Sequence, residues 1–169
     1  LVSGPNSGKG TQEERKAMFA GHMSNMGRLA DEGKLLIAGP FNSPADKSWR
    51  GVFIFPADLV SEARDIVASD PGVKAGEFVA EIHPMTAPRW IERSLENDKA
   101  WLARQTVEAS KPGEPPKTIR PYVLITAKDG ATVERQIAGS ALAKSLVLHG
   151  RFTDNGQGVF VLDCRDAAK

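Results

Sequence analysis

The order in which helical and extended stretches follow one another is what most constrains this chain. Across residues 13–32, Phe19, Met23, Met26, Leu29 and Ala30 recur at three- and four-residue steps, which predicts an amphipathic helix stopped by Gly33. Residues 34–38 (KLLIA) read as a strand ended by Gly39-Pro40. Residues 51–55 (GVFIF) read as a second strand, apolar at nearly every position and so expected to be covered on both faces. Residues 61–69 form a second predicted helix, with Asp58 or Ser61 near its cap and Asp70-Pro71-Gly72 breaking it. Residues 78–82 (FVAEI) give a further strand. With Leu1-Val2 as the end of an initial strand, the order is βαββαβ. That is the split βαβ plan of an α+β, ferredoxin-like fold.

The pattern then returns. Residues 89–110 carry Trp90, Ile91, Leu95, Trp101, Leu102 and Val107 among many charges, which predicts one or two helices. Residues 111–117 (KPGEPPK) have the composition of a linker. After it come a strand at 122–126, an Asp129-Gly130 turn and a helix over 132–143. Residues 146–152 (LVLHGRF) repeat the shape of 36–41 (LIAGPF), and 158–162 (GVFVL) repeat 51–55. A last helix is expected to begin at 165–168. Element order and the strand–loop–strand motif recur together, which predicts a tandem duplication. The divisions are a first domain at 1–86, a helical and proline-rich connection at 87–119, and a shortened second copy at 120–169.

Composition excludes several function classes. A formal net charge of +1 leaves no electrostatic footprint for nucleic acid or an anionic membrane. No apolar run approaches the roughly 18–20 residues needed to span a bilayer. A single cysteine, Cys164, excludes an internal disulfide and a cysteine-rich metal site. The expected compartment is the cytoplasm. An exported mature chain is the alternative, because the chain opens on Leu1 and not on Met.

The opening residues, LVSGPNSGKGTQ, contain a GKGT stretch like that of adenylate kinases. A phosphate-binding loop needs glycine five residues before Gly8, where Ser3 stands, and a following helix that packs between sheet and nucleotide. Glu13-Glu14-Arg15-Lys16 is instead a charged first turn. No later strand ends in a magnesium-binding aspartate. The expectation is a Gly/Ser turn from strand to helix, with Thr11 as N-cap, Glu13 and Glu14 well placed in the first turn, and no nucleotide or other cofactor.

Two ionisable residues stand out. His22 lies at the edge of the first helix's apolar face. Asp70 lies where the second helix ends. In a split βαβ plan both helices cover the same face of the sheet, and a carboxylate beside an imidazole makes a general base. The plainer alternatives are a core-edge histidine bonded to a backbone carbonyl and a turn aspartate bonded to its own backbone. His83 reads as a strand-end residue. His149 lies in the second copy's strand-end turn with no partner carboxylate identifiable. The three histidines lack metal-ligand spacing, so no metal is expected.

The stretches FAGHMSNMGRLADEGKLLIAGPF, RGVFIF, ASDPGVKAGEF and AEIHP resemble the YCII-related (YciI-like) family over residues 1 to about 86. The resemblance implies a ferredoxin-like fold that pairs sheet to sheet as a dimeric α+β barrel. It also implies His22 and Asp70 as a catalytic pair. The reaction is unknown for most members; one relative removes chloride from a hydroxylated ring compound, and muconolactone isomerases share the wider barrel fold. The expected function is a lyase or isomerase acting on an unidentified small molecule, with His22 as general acid or base and Asp70 orienting it. Met23, Met26 and Phe41 would wall the pocket, Gly39-Pro40 would allow close backbone approach, and Arg50 or Arg28 would hold an anionic group. The alternative is a non-catalytic ligand-binding or assembly module. The second copy, with no histidine on its first helix, is expected to be catalytically silent.

A lone sheet of this plan has helices on one face only. The apolar 51–55 strand would then expose a patch large for a monomer surface. The expectation is an intramolecular pseudo-dimer in which residues 159–162 of the second copy meet it. A homo-oligomer through two first copies is the competing arrangement.

Overall fold

The computed structural model describes residues 1–42, 44–88, 91 and 122–162. The helices and linker expected over 89–117, Ile91 apart, and the helix expected at 165–168 lie outside the described residues. The chain divides into two compact units, Leu1–Ile82 and His83–Lys169.

The first unit runs β1 (Val2–Ser3), α1 (Gln12–Asp31), β2 (Ile37–Pro40), β3 (Gly51–Ile54), α2 (Val60–Ala68), α3 (Pro71–Lys74) and β4 (Phe78–Val79). β1 pairs antiparallel with β4, and β2 with β3. A Val2–Trp49 bridge and hydrogen bonds from Ser3 N to Ser48 O and from Arg50 N to Leu1 O join the two ladders. The strands therefore lie in the order β4-β1-β3-β2. This is a mixed α and β architecture, with helices packed on small antiparallel sheets.

Helix α1 starts with a capping box. The Thr11 hydroxyl accepts from the Glu14 amide at 3.2 Å, and the Glu14 carboxylate accepts from the Thr11 amide at 2.8 Å. It ends in a Schellman turn: Gly33 has φ +70°, its N–H donates to Ala30 O, and Lys34 N–H donates to Leu29 O. The buried side of α1 differs from the expected stripe. Phe19 and Met23 are exposed, while His22 and Leu29 are buried and Met26 packs on the core. The inward row is thus His22, Met26, Leu29, at i, i+4, i+7, and His22 sits within it and not at its edge.

Leu29, Leu35 and Ile66 form the core of this unit, with Met26, Phe53 and Phe55 against them. Because Phe53 and Phe55 face the helices, Val52 and Ile54 point to the other side of β3. β3 beyond Gly51 is only partly buried, not fully covered on both faces as expected. The cap of α2 also differs. Its N-cap is Leu59, which has no side-chain cap bond, and neither Asp58 nor Ser61 fills that role. Asp-Pro-Gly does end α2, but Asp70 then starts a new helical turn, α3, with Pro71 at its first position.

The second unit holds β5 (Met85–Thr86), β6 (Val123–Ala127), α4 (Gly130–Ala138), a 3₁₀ turn (Ala141–Ser145), β7 (Leu146–Phe152) and β8 (Gly158–Leu162). Its four strands are antiparallel in the order β5-β7-β8-β6. Ile137, Phe160 and Leu162 are its buried cluster, joined by Val123, Ile125, Val133 and Leu146. The helix predicted over 132–143 is shorter at its end: α4 stops at Ala138, where Gly139 lies in the C-cap, and a separate 3₁₀ turn follows. No helix among the described residues is long and apolar enough to cross a membrane.

Candidate functional site

His22 and Asp70 are brought together from 48 residues apart, with His22 Nδ1 2.8 Å from Asp70 Oδ2. Both are buried, His22 at 7% exposure and Asp70 at 1%. The helix α1 supplies the imidazole from its inward row. The junction of α2 and α3 supplies the carboxylate. The local fold there has a definite cause: Asp70 is the N-cap of α3, and its Oδ1 accepts from the amides of Gly72 at 2.8 Å and Val73 at 3.3 Å. Gly72 is required by packing. A Cβ there would lie 2.6 Å from the Phe78 ring and 3.0 Å from Asp70 Oδ1.

One carboxylate oxygen thus caps a helix while the other holds the histidine. Asn25 Nδ2 adds a longer contact to Oδ2 at 3.4 Å. Burial by itself would push the Asp70 carboxyl up. The hydrogen bond and charge of His22, with the Gly72 and Val73 amides, outweigh it and hold the group below the ordinary carboxylate range. An ionised carboxylate can only accept, so His22 Nδ1 carries the proton that is shared with it. Nε2 is left as the nitrogen that can take up or give a proton, and it has no hydrogen-bond partner among the described residues.

The ring is enclosed by three others: Phe78 at 5.3 Å between centroids, and Phe19 and Phe53 at 5.9 Å each, with Phe53 stacked. Phe53 and Phe78 were not anticipated beside His22. The strand pattern contains the signal, because alternate residues of β3 share a face, but an unbroken apolar run conceals which face is inward. Of the expected pocket residues, Met26 belongs to the core beside Leu29 and Met23 is exposed. Phe41 packs its ring against Trp49, and Gly39 and Pro40 lie in the β2–β3 ladder opposite Val52 and Gly51. Arg28 is committed to Glu32 at 2.6 Å and to Asn25 at 2.8 Å.

Arg50 is placed differently. Its guanidinium lies 5.5 Å from the centroid of Phe78, the ring that also touches His22. Its Nη1 donates to Ser7 Oγ at 2.9 Å and lies 3.5 Å from Glu77 Oε1. Glu77, buried at 6% exposure, had no place in the sequence reading, since one acid before a strand resembles any solvated charge. It organises the opening loop. Ser7 Oγ donates to its carboxylate at 3.1 Å, and the Gly8 amide donates at 3.0 Å. Gly4 and Asn6 amides bond the carbonyls of Glu77 and Gly76. The loop is the connection from β1 to α1, and two of its donors, the Ser7 hydroxyl and the Gly8 amide, are held by the protein's own carboxylate.

No group of three or more metal-ligating side chains gathers among the described residues. A family model for the YCII-related domain matches residues 4–86. No curated protein and no solved structure matches the chain significantly.

Proposed function

Residues 4–86 are a YCII-related domain, and from that premise we propose that the first unit is a small-molecule enzyme of lyase or isomerase type. The observation that carries this reading is the buried 2.8 Å contact between His22 Nδ1 and Asp70 Oδ2. Asp70 fixes the tautomer and the orientation of the ring, while Nε2 exchanges the proton with substrate. Arg50, beside Phe78, holds an anionic group of that substrate. Met23, Gly39, Pro40 and Phe41 enter the proposal as the expected pocket walls, while Met26, also expected there, packs on the Leu29, Leu35 and Ile66 core.

The second reading is a non-catalytic ligand-binding module. The enclosure of His22 by Phe19, Phe53 and Phe78 favours it, because these rings leave the imidazole little open approach. Screening the full chain for turnover of hydroxylated-ring and lactone compounds, followed by His22→Gln, separates the two. Loss of a positioned proton-transfer group lowers kcat by roughly 10²–10⁴ with binding retained. Turnover that survives His22→Gln removes the base assignment.

The ferredoxin-like plan and the tandem barrel remain part of the proposal. The order β4-β1-β3-β2 supports the plan in the first unit. In the second unit β6, α4, β7 and β8 follow one another as β1, α1, β2 and β3 do, and β8 lies between β6 and β7 as β3 lies between β1 and β2. This supports a duplication. An intramolecular pseudo-dimer, with sheets meeting through residues 51–55 and 159–162, would cover the outward Val52 and Ile54. Sedimentation of the intact chain as a monomer agrees with it, and a dimer favours the homo-oligomer.

A further inference from the structure

The second unit was expected to be silent, with His149 unpartnered. The structure places His149 Nδ1 3.4 Å from Glu134 Oε1, within ion-pair distance. The two border a cavity of about 250 Å³ lined also by Thr86, Pro88, Arg151 and Phe160. We propose that this cavity is a second binding site, for a small carboxylate with an apolar body and a hydroxyl or carbonyl oxygen.

Register and helix position build the site. In the β7–β8 ladder His149 lies opposite Phe160, and Arg151 opposite Gly158, so these four positions share one face of the sheet. That face carries α4, since Ile137 and Val133 pack with Phe160. The first turn of α4 sits unusually close to β8. A Cβ on Gly130 would lie 2.7 Å from Gly158 Cα. One turn further along, Glu134 reaches His149. The close glycine–glycine seat presses the helix onto β8, and the cavity remains beside β7, where both basic side chains stand.

The charge pattern gives the ligand class. Glu134 and His149 answer one another. The Arg151 guanidinium has no hydrogen bond or ion pair among the described residues. Its charge helps hold the Asp129 carboxyl down, but that carboxylate is not in hydrogen-bond contact with it and accepts from the Thr132 amide at 3.0 Å as the cap of α4. Among the described residues Arg151 is therefore the cation of this cavity without a hydrogen bond or ion pair, and a planar guanidinium matches a carboxylate bidentately. His149 uses Nδ1 toward Glu134 and has Nε2 for an oxygen on the ligand. Phe160 and Pro88 supply the apolar wall. The volume lies below the roughly 300–1,000 Å³ of drug-sized sites, and a small acid is the ligand that it fits.

The test uses the full chain, ¹⁵N-labelled, titrated with mandelate, with mandelamide as the uncharged control and phenylacetate as the acid lacking the hydroxyl. Saturable shifts centred on the amides of Gly130, Gly150 and Gly158 are expected with mandelate. Mandelamide and the Arg151→Gln variant are expected to bind about tenfold more weakly or worse, as for a lost charge-assisted hydrogen bond. Wild type is expected to prefer mandelate to phenylacetate, and His149→Gln to erase that preference. No saturable shift, equal binding of mandelamide, shifts centred elsewhere, or indifference to Arg151→Gln overturns the site. A preference that persists in His149→Gln overturns the role of the imidazole. The amide spectrum itself reports whether each variant is folded.

Discussion

Asp70 does two jobs with two oxygens, and a pair of substitutions separates them. Asp70→Ala removes the cap of α3, which costs about 1 kcal/mol. It also leaves the buried His22 Nδ1 proton without an acceptor, a further cost of about 1–3 kcal/mol. The expected destabilisation of the first unit is therefore about 2–4 kcal/mol. Asp70→Asn keeps a carbonyl oxygen for the Gly72 and Val73 amides, so the cap survives. Its amide nitrogen then faces His22 and donates to Nδ1, which moves the imidazole proton to Nε2. The expected cost is below about 1 kcal/mol, because every buried polar group remains paired. Urea unfolding followed through the amide resonances of residues 12–79 measures the stabilities, and long-range ¹⁵N correlations of the imidazole measure the tautomer. If the Asn variant is as unstable as the Ala variant, or His22 keeps its proton on Nδ1 in it, the division of labour between the oxygens is wrong.

Acid unfolding follows from the same group. The folded carboxyl titrates below its unfolded value of about 3.9, so its contribution is complete above that pH and disappears as pH falls through the depressed folded value. Wild type is expected to lose stability more steeply than Asp70→Asn across that window; parallel curves contradict it. Gly130→Ala places a methyl against Gly158 backbone and is expected to cost the second unit about 1–3 kcal/mol by overpacking, read as a lower urea midpoint for the amides of residues 123–162. Glu77→Ala leaves the Gly8 amide without its acceptor, so amide exchange at Gly8 and proteolysis within residues 4–11 are expected to accelerate with α1 intact. Adding ATP with magnesium to wild type is expected to give no thermal shift that Lys9→Ala removes.

Much of the first unit is legible in the sequence because its signals are local. Thr11 with Glu14 three residues on, Gly33 after the last apolar turn, and the two short apolar runs each define a boundary from a few neighbours. The element order puts the helices of His22 and Asp70 over one sheet face, but it leaves the plainer roles open, and the family resemblance is what marks the two as a pair. What is not legible depends on register. Phe53 faces the helices and Val52 does not, yet both are apolar, so the string GVFIF cannot say which. Met26 reads equally well as a pocket wall or a core residue, and packing with Leu35 and Ile66 decides for the core. Glu134 and His149 are fifteen positions apart on a helix and a strand, and only the seating of α4 on Gly158 brings them together. Glu77 is the extreme case, since its importance comes entirely from a loop seventy residues earlier.

The arrangement around Glu77 turns a question of motif into one of mass action. A free amide and hydroxyl in a loop of small residues can receive an anion, and here the anion on the Gly8 amide and the Ser7 hydroxyl is tethered to them by the fold. Even loose tethering gives a local concentration in the millimolar range, and the Glu77 carboxylate is buried beside the loop at the start of β4. A free phosphate must therefore compete against a ligand that never diffuses away, while Arg50 adds its charge to the incumbent. One residue far along the chain thus competes with any free anion for the Gly8 amide that opens GKGT.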